Sequence, residues 1–528
     1  MSLTTLDRDD PITTLPPPDM VKAAKAGEST YGQILKSSAL VGGSSILNIA
    51  IGILRTKVMA ILLGPAGFGL LSIYGSIVIL TQTLAGMGIN SSGVRQIAEA
   101  TGSDERTHIA LTTIVLRRTS MVSGLLGALL LILFSRQVSL VTFGNLQHAT
   151  AISVLSVAVC FGLISAGQGA LIQGMRRIAD LAKMSVFGAF LGTLSSIPLV
   201  YFFRDRGIVP SLIAAAVMTS LVSWWYSSRI RIQVPSITNG MMMLEAGALL
   251  KLGFAFMSSG LMTMGVAYAI RITVLRKVGL EATGLYQSAW TLGGLYVGFI
   301  LQAMGADFYP RLTAHAKDNV TCNRLVNEQA HVGLLLAGPG VIATLTFAPL
   351  VIALFYSVKF QVAVGVLRWI CLGTIIQVVT WPMGFIIIAK ARQILFFACE
   401  LAWTVVSLAL AWVCASRFGL NGVGMAFFGS YVFHGFLIYA VVHRVSGFRW
   451  SVDNRRNGFI FLFAITLTFC GFYVLPFFAA ELLGCLAIVG ISIFSARTMI
   501  NLVTLDQIPF RLRRLLARCG MVPTESAL

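Results

Sequence analysis

Charge is scarce in this chain. Of its 528 residues only 11% are charged, while 56% are hydrophobic. That is about half the charged share of an average soluble domain. It is too little to cover the surface of a soluble protein this long, so a soluble multidomain enzyme is excluded. Acids are scarcer still, 20 against 39 Lys and Arg, for a net charge of +19. Paired cysteines are missing. Cys160, Cys322, Cys371, Cys399, Cys414, Cys470, Cys485 and Cys519 form no CxxC spacing, and most sit inside apolar runs. They read as small buried hydrophobes, so neither a disulfide frame nor a metal site is expected, and no cofactor. Period-two alternation is missing as well, which excludes a porin-like barrel.

What is present is apolar length. About 20 apolar residues cross a bilayer as helix. Such runs start near Ile34, Leu70, Thr119, Ala149, Leu181, Ile208, Ala248, Gly284, Ala330, Val362, Ile394, Leu420, Gly458 and Leu482. The expected fold is therefore an all-α polytopic membrane protein of about fourteen transmembrane helices. The longest connections, around 95–118 and 307–329, have room for an amphipathic helix but not for a folded domain. Residues 1–30 are polar and carry Pro11, Pro16, Pro17 and Pro18. They read as a disordered cytoplasmic tail and not as a signal peptide.

The basic excess is topological, so nucleic acid is not an expected partner. With the N-terminus in the cytoplasm, 28 Lys and Arg fall on the cytoplasmic side and 10 on the other, and Arg368 lies inside a span. This asymmetry predicts both termini in the cytoplasm and an even number of spans. Residues 508–518 read IPFRLRRLLAR. Both a helix lying on anionic headgroups and an ordinary positive-inside tail fit that pattern.

An internal repeat organises the chain. Ile53, Leu54 and Arg55 precede LGPAGFGL at 63–70, and Ala269, Ile270 and Arg271 precede VGLEATGL at 278–285. Each copy continues with an apolar span, a glycine and an arginine: Gly88 with Arg95, and Gly305 with Arg311. Six spans separate the copies, so both halves enter the membrane with one polarity, as parallel repeats do. The expected organisation is a tail (1–30), an N-lobe of six spans (31–235), a C-lobe of six (236–445), two further spans (446–505) and a basic amphipathic tail (506–528). The two lobes would be pseudo-symmetric about the membrane normal.

Charges inside apolar runs are costly. Arg55 and Lys57 interrupt the run 39–63, about 37 Å long as a helix. An arginine at a helix centre costs on the order of 2.5–3.5 kcal/mol. Such residues face a wet cavity or snorkel to headgroups. For Lys57 and Lys277 the interfacial reading is preferred. For Arg55 and Arg271 the cavity is preferred, because the repeat would set them on opposing walls, where two guanidinium forks suit a phosphate. Glu400 in FFACELAW could pair a cavity arginine, carry a proton, or cap a helix at the interface. Asp307 precedes Tyr309, Pro310 and Arg311, and a local pair of Asp307 with Arg311 is expected where Pro310 ends the span. Pro198, Pro339, Pro349 and Pro382 fall inside spans as bends. Gly188 with Gly192, and Gly294 with Gly298, have the spacing of close helix packing.

These motifs resemble the Wzx family of O-antigen and enterobacterial common antigen flippases, in the superfamily that includes the MATE exporters and lipid II flippases. The resemblance rests on LGPAGFGL at 63–70, LAGMGI at 84–89, YPRL at 309–312, and GFIIIAKAR at 384–392 with Glu400 eight residues on. It covers about 34–443, so the polar tail and the last two spans depart from a twelve-span plan. It implies a non-enzymatic flippase in the bacterial inner membrane. The cargo would be an oligosaccharide repeat unit on undecaprenyl pyrophosphate, with membrane lipids and the polymerase and chain-length machinery as partners. By motif match the phosphate-binding role passes to Arg55 and Arg271, and more weakly to Arg311 and Lys390. Two other classes compete. A polysaccharide polymerase or ligase needs acid/base groups, usually on a large extramembrane loop, whereas loops such as 204–206 and 357–360 are a few residues long. A MATE-like exporter of cationic drugs needs carboxylates in the first lobe, and none occurs between Thr30 and Arg95.

Overall fold

The computed structural model describes residues 18–102, 106–230 and 239–502. The regular structure among them is helical throughout. The first half contains α1 (Pro18–Gly86), α2 (Ile89–Gly102), α3 (Arg106–Leu133), α4 (Ser135–Phe143), α5 (Ala149–Val154), α6 (Ser156–Gly174), α7 (Ile178–Phe203) and α8 (Ile208–Ser228). The second contains α9 (Asn239–Lys277), α10 (Leu280–Ala314), α11 (Asn319–Thr346), α12 (Ala348–Phe355), α13 (Val364–Ala389), α14 (Gln393–Ser446), α15 (Val452–Val474) and α16 (Phe477–Leu502). Both terminal tails of the expected organisation lie largely outside the described residues, the basic segment 508–518 entirely.

Nine helical stretches among the described residues are long and apolar enough to cross a membrane. Three of them, Gly42–Gly86, Ile178–Ser228 and Gln393–Ser446, run to 45, 51 and 54 residues. Each amounts to roughly 70–80 Å of helix at 1.5 Å per residue. That is about twice the ~30 Å hydrocarbon thickness, and each is broken near its middle. Gly64 breaks α1 with φ 66° and ψ −176°, and Gly419 breaks α14 with φ 58°. A 3₁₀ turn at Arg204–Gly207 separates α7 from α8. In the segment 95–118, α2 is amphipathic: Ile97 and Ala100 are buried, while Arg95 pairs with Glu99 at 2.7 Å on the exposed side.

The repeat has a structural counterpart. Gly64 and Gly279 hold equivalent places and both have positive φ, 66° and 116°, which a side chain would strain. Five residues on, Gly69 and Gly284 meet. A β-carbon on Gly69 would overlap the carbonyl oxygen of Leu280, and one on Gly284 would overlap that of Pro65. The contact is reciprocal, since Pro65 and Leu280 are themselves equivalent in the two copies. Close backbone approach through small residues joins helices where the bilayer supplies no hydrophobic drive.

Other sequence readings are corrected. Gly188 and Gly192 do face α8, at van der Waals distance from Thr219 and Ala215. Gly294 and Gly298 face open space, because GxxxG spacing sets a shared face but not what lies opposite. Pro310 does not end α10, which runs one turn further to Ala314. Pro349 lies in the first turn of α12, where the missing N–H is no loss. Pro198, Pro339 and Pro382 do lie inside helices.

Helix α9 is tied to the first half of the chain at both ends. At the end that the charge count places outside, Arg276 donates from Nε to the carbonyl of Thr142 (3.3 Å) and from Nη2 to that of Leu140, and the Tyr268 and Thr142 hydroxyls hydrogen-bond. At the other end Gly88 and Gly253 meet backbone to backbone, and Thr112 Oγ1 donates to Glu245 Oε1 at 3.1 Å with His108 Nε2 3.8 Å from the same oxygen.

Helix α11 starts on a side-chain cap. Asp318 Oδ1 accepts from the backbone N–H of Val320 and Thr321, and Oδ2 from the Thr321 hydroxyl. The Thr321 hydroxyl and the cap N–H groups hold this carboxyl below its usual range. A depressed carboxyl stabilises above its unfolded pKa, and the contribution disappears as pH falls through the folded value. Asp318→Ala is therefore expected to lower the melting temperature at neutral pH and to flatten its fall on acidification below the ordinary carboxylate range. Thermal unfolding of the full chain in detergent at several pH values checks this.

Candidate functional site

A cavity of about 410 Å³ lies between α9, α10, α13, α14 and the second half of α1. Each helix contributes a stripe at 3.6-residue spacing: Thr263, Ala267, Ile270 and Arg271 from α9; Tyr286, Trp290 and Gly294 from α10; Ile370, Thr374 and Gln377 from α13; Trp403, Ser407 and Ala411 from α14. Ser76 and Ile79 complete the wall from α1. Among the described lining residues Arg271 carries the one charge, and no carboxylate faces it there.

The guanidinium is oriented from one edge. Arg271 Nε donates to Gln287 Oε1 at 2.8 Å, Gln287 Nε2 donates to Thr291 Oγ1 at 3.0 Å, and Thr291 Oγ1 donates to the Gln287 carbonyl at 2.9 Å. The two terminal nitrogens of Arg271 make no hydrogen bond among the described residues. A fork held from behind with both prongs free is the geometry for bidentate binding of phosphate or carboxylate. Around it stand aromatic rings: Trp290 against Phe427 (5.4 Å between centroids), Phe427 against Tyr431 (4.9 Å) and Tyr431 against Trp403 (5.7 Å). Such faces pack on apolar surfaces of a ligand while their polar edges hydrogen-bond.

The other expected site residues lie elsewhere. Arg55 is half-buried on α1 and makes no hydrogen bond or ion pair among the described residues, but it does not line this cavity. The break at Gly64 is the reason: Arg55 belongs to the first half of α1, and the cavity is walled by the second. Opposing walls for Arg55 and Arg271 are therefore not what the structure presents. Lys390 Nζ donates to the Ala316 carbonyl (2.8 Å) and Asn319 Oδ1 (2.6 Å), tying the end of α13 to the turn before α11. Arg311 is exposed in the last turn of α10, and the side chain of Asp307 lies outside the described residues. Glu400 is half-buried on α14, one turn before Trp403, and forms no ion pair among the described residues. Arg368 lies 3.6 Å over the ring of Phe472, a packing role. Sequence reading missed Gln287 and the aromatic wall. The stripe Tyr286, Trp290, Gly294 was the available signal, but aromatic residues at that spacing are common in any buried helix.

Residues 58–365, more than half of the chain, match the family described as polysaccharide biosynthesis protein. The chain belongs to that family. The polysaccharide biosynthesis match ends at the start of α13, so α14 to α16 lie beyond it. Two curated relatives named lipid III flippase, from Escherichia coli (strain K12) and Shigella flexneri, are each 23% identical over 421 residues, 76% of this chain and 95% of the relative. Among solved structures, lipid II flippase MurJ in an inward closed conformation matches with a TM-score of 0.65 at 14% identity, over 88% of this chain and all of that one. An inward-facing multidrug resistance MATE family transporter of the MOP superfamily matches with a TM-score of 0.61 at 15% identity, over 76% of this chain and 95% of that one. This polysaccharide biosynthesis protein thus has the all-helical, multi-pass fold those structures share.

Proposed function

We propose that this protein is a flippase for lipid-linked oligosaccharides. It carries repeat units of O-antigen or a related surface polysaccharide, attached to undecaprenyl pyrophosphate, from the cytoplasmic to the periplasmic leaflet of the inner membrane. The observation that carries this reading is the one charge among the cavity's described lining residues, a guanidinium whose two terminal nitrogens make no hydrogen bond, and face no carboxylate, among them. A pyrophosphate headgroup cannot cross hydrocarbon unaided, and Arg271 supplies its counter-charge inside the bundle. A cationic drug would meet the wrong sign there. The lipid III flippase relatives support a lipid-linked cargo. Arg55, half-buried and without a partner among the described residues, is retained as a second phosphate contact, made when the lobes are arranged differently. Ties at both ends of α9 support alternating access, in which one set opens while the other holds. Both termini are assigned to the cytoplasm, and polymerase and chain-length proteins to the receiving side.

Depleting the protein in its own cells tests the reading. Loss of long-chain polysaccharide with lipid-linked intermediates trapped on the cytoplasmic leaflet is expected. Unpolymerised units accumulating on the periplasmic side would point to a polymerase instead, and drug sensitivity alone to an exporter.

A further inference from the structure

A second cavity of about 310 Å³ lies beside the first, and the two share Ile79 as a wall. Its chemistry is opposite. Among its described lining residues none is charged, and the polar ones are amides and hydroxyls: Gln82, Thr83, Asn90, Ser91, Ser120 and Ser123. They come from α1, α2 and α3, with α6 closing the far side.

The cleft is built, not left over. A β-carbon on Gly162 would overlap Gln82 Nε2, and one on Gly167 would overlap Ser120 Oγ. Two glycines of α6 thus make room for two polar side chains between helices. Gln82 Nε2 donates to the Ala158 carbonyl at 3.2 Å, which holds the amide in place, and its Oε1 accepts no hydrogen bond among the described residues. Ser120 Oγ donates to the Leu116 carbonyl at 2.7 Å. Asn90 and Ser91 are exposed, Ser123 is buried, and none of these three side chains makes a hydrogen bond among the described residues.

We infer that this cleft binds the uncharged, hydroxylated part of the cargo, its glycan. The inference rests on the proposed function and adds a division of labour to it: phosphate at Arg271, sugar one helical turn along α1. A sugar hydroxyl is both donor and acceptor, and so are amide and hydroxyl side chains, so each can satisfy the other in either direction. An acyl chain would leave these groups unpaired, which is costly away from water. A cation would need carboxylates. The volume is within the range of small-molecule sites, about 300–1,000 Å³.

The test uses the purified full chain in lipid nanodiscs and two probes. One is sugar-free undecaprenyl pyrophosphate. The other is the oligosaccharide released by mild acid from the lipid-linked pool of the same cells. Asn90→Ala/Ser91→Ala is expected to weaken binding of the released oligosaccharide roughly tenfold, as the loss of two neutral hydrogen bonds does, and to leave the sugar-free lipid unaffected. Ser123→Leu, which fills the cleft from α3, is expected to do the same. Arg271→Ala is expected to give the reverse pattern. Binding of the lipid serves as the folding control. Released oligosaccharide that binds neither wild type nor variants, or that binds all of them equally, overturns the inference. So does a cleft variant that weakens both probes alike. Failure of wild type to bind sugar-free undecaprenyl pyrophosphate overturns the proposed function itself.

Discussion

Arg271→Ala is expected to reduce cargo translocation to a few per cent of wild type or less. A hydrogen bond to a charged group is worth about 1.5–3 kcal/mol, so losing even one prong costs roughly 10- to 150-fold in affinity. The wall supplies no second charge to compensate. Arg271→Lys keeps the charge but loses the planar fork, and recovers only part of the activity. Gln287→Leu leaves the guanidinium in place but frees its Nε edge, and is expected to cost a few-fold, the scale of one hydrogen bond of orientation. Arg55→Ala should cost less than Arg271→Ala, because Arg55 is off the cavity wall. The measurement is the leaflet distribution of lipid-linked intermediates in cells that carry each variant. Normal distribution with Arg271→Ala would remove this residue from the phosphate-binding role.

The second large effect is expected at the reciprocal glycine contact. Gly284→Val places a branched side chain where the Pro65 carbonyl already is. Neither backbone can yield without disturbing a helix, since both lie in the first turns of helical segments. The two segments must separate, which wedges that end of the bundle apart and stalls the cycle. Transport is expected to fall more than tenfold, against a gain in labelling of a cysteine introduced as Thr291→Cys by a membrane-impermeant maleimide added from outside. Gly298→Ala is the control, because a β-carbon there meets nothing; its transport and labelling should stay at wild-type levels. Unchanged labelling in Gly284→Val would show that this contact does not guard the outer end.

Much of this could be read from sequence, for a physical reason. Apolar length declares itself because lipid tolerates nothing else along a span. The repeat declared itself because Gly64, Gly279, Gly69 and Gly284 occupy backbone positions where a β-carbon is strained or blocked, so their spacing is set by geometry. The relation between Arg55 and Arg271 was less legible. Equivalent positions in a repeat share a local environment, but only one of the two helices turns that environment toward the cavity. Lys390 illustrates a different limit: a basic residue at a helix end binds backbone carbonyls or cargo equally well, and here it holds Ala316 and Asn319. The polar cleft was invisible because Gln82 and Asn90 meet Ser120 and Ser123 only through the packing of α3 against α1 and α2, and each, taken alone, is unremarkable in a helix.

The turns at Gly64 and at 278–279 are one and two residues long, and joints that short leave little slack. The limbs on either side of each joint are therefore closely coupled, and the contact of Gly69 with Gly284 couples the two joints to each other. Epitope tags and fluorescent fusions inserted at either joint are expected to loosen that coupling.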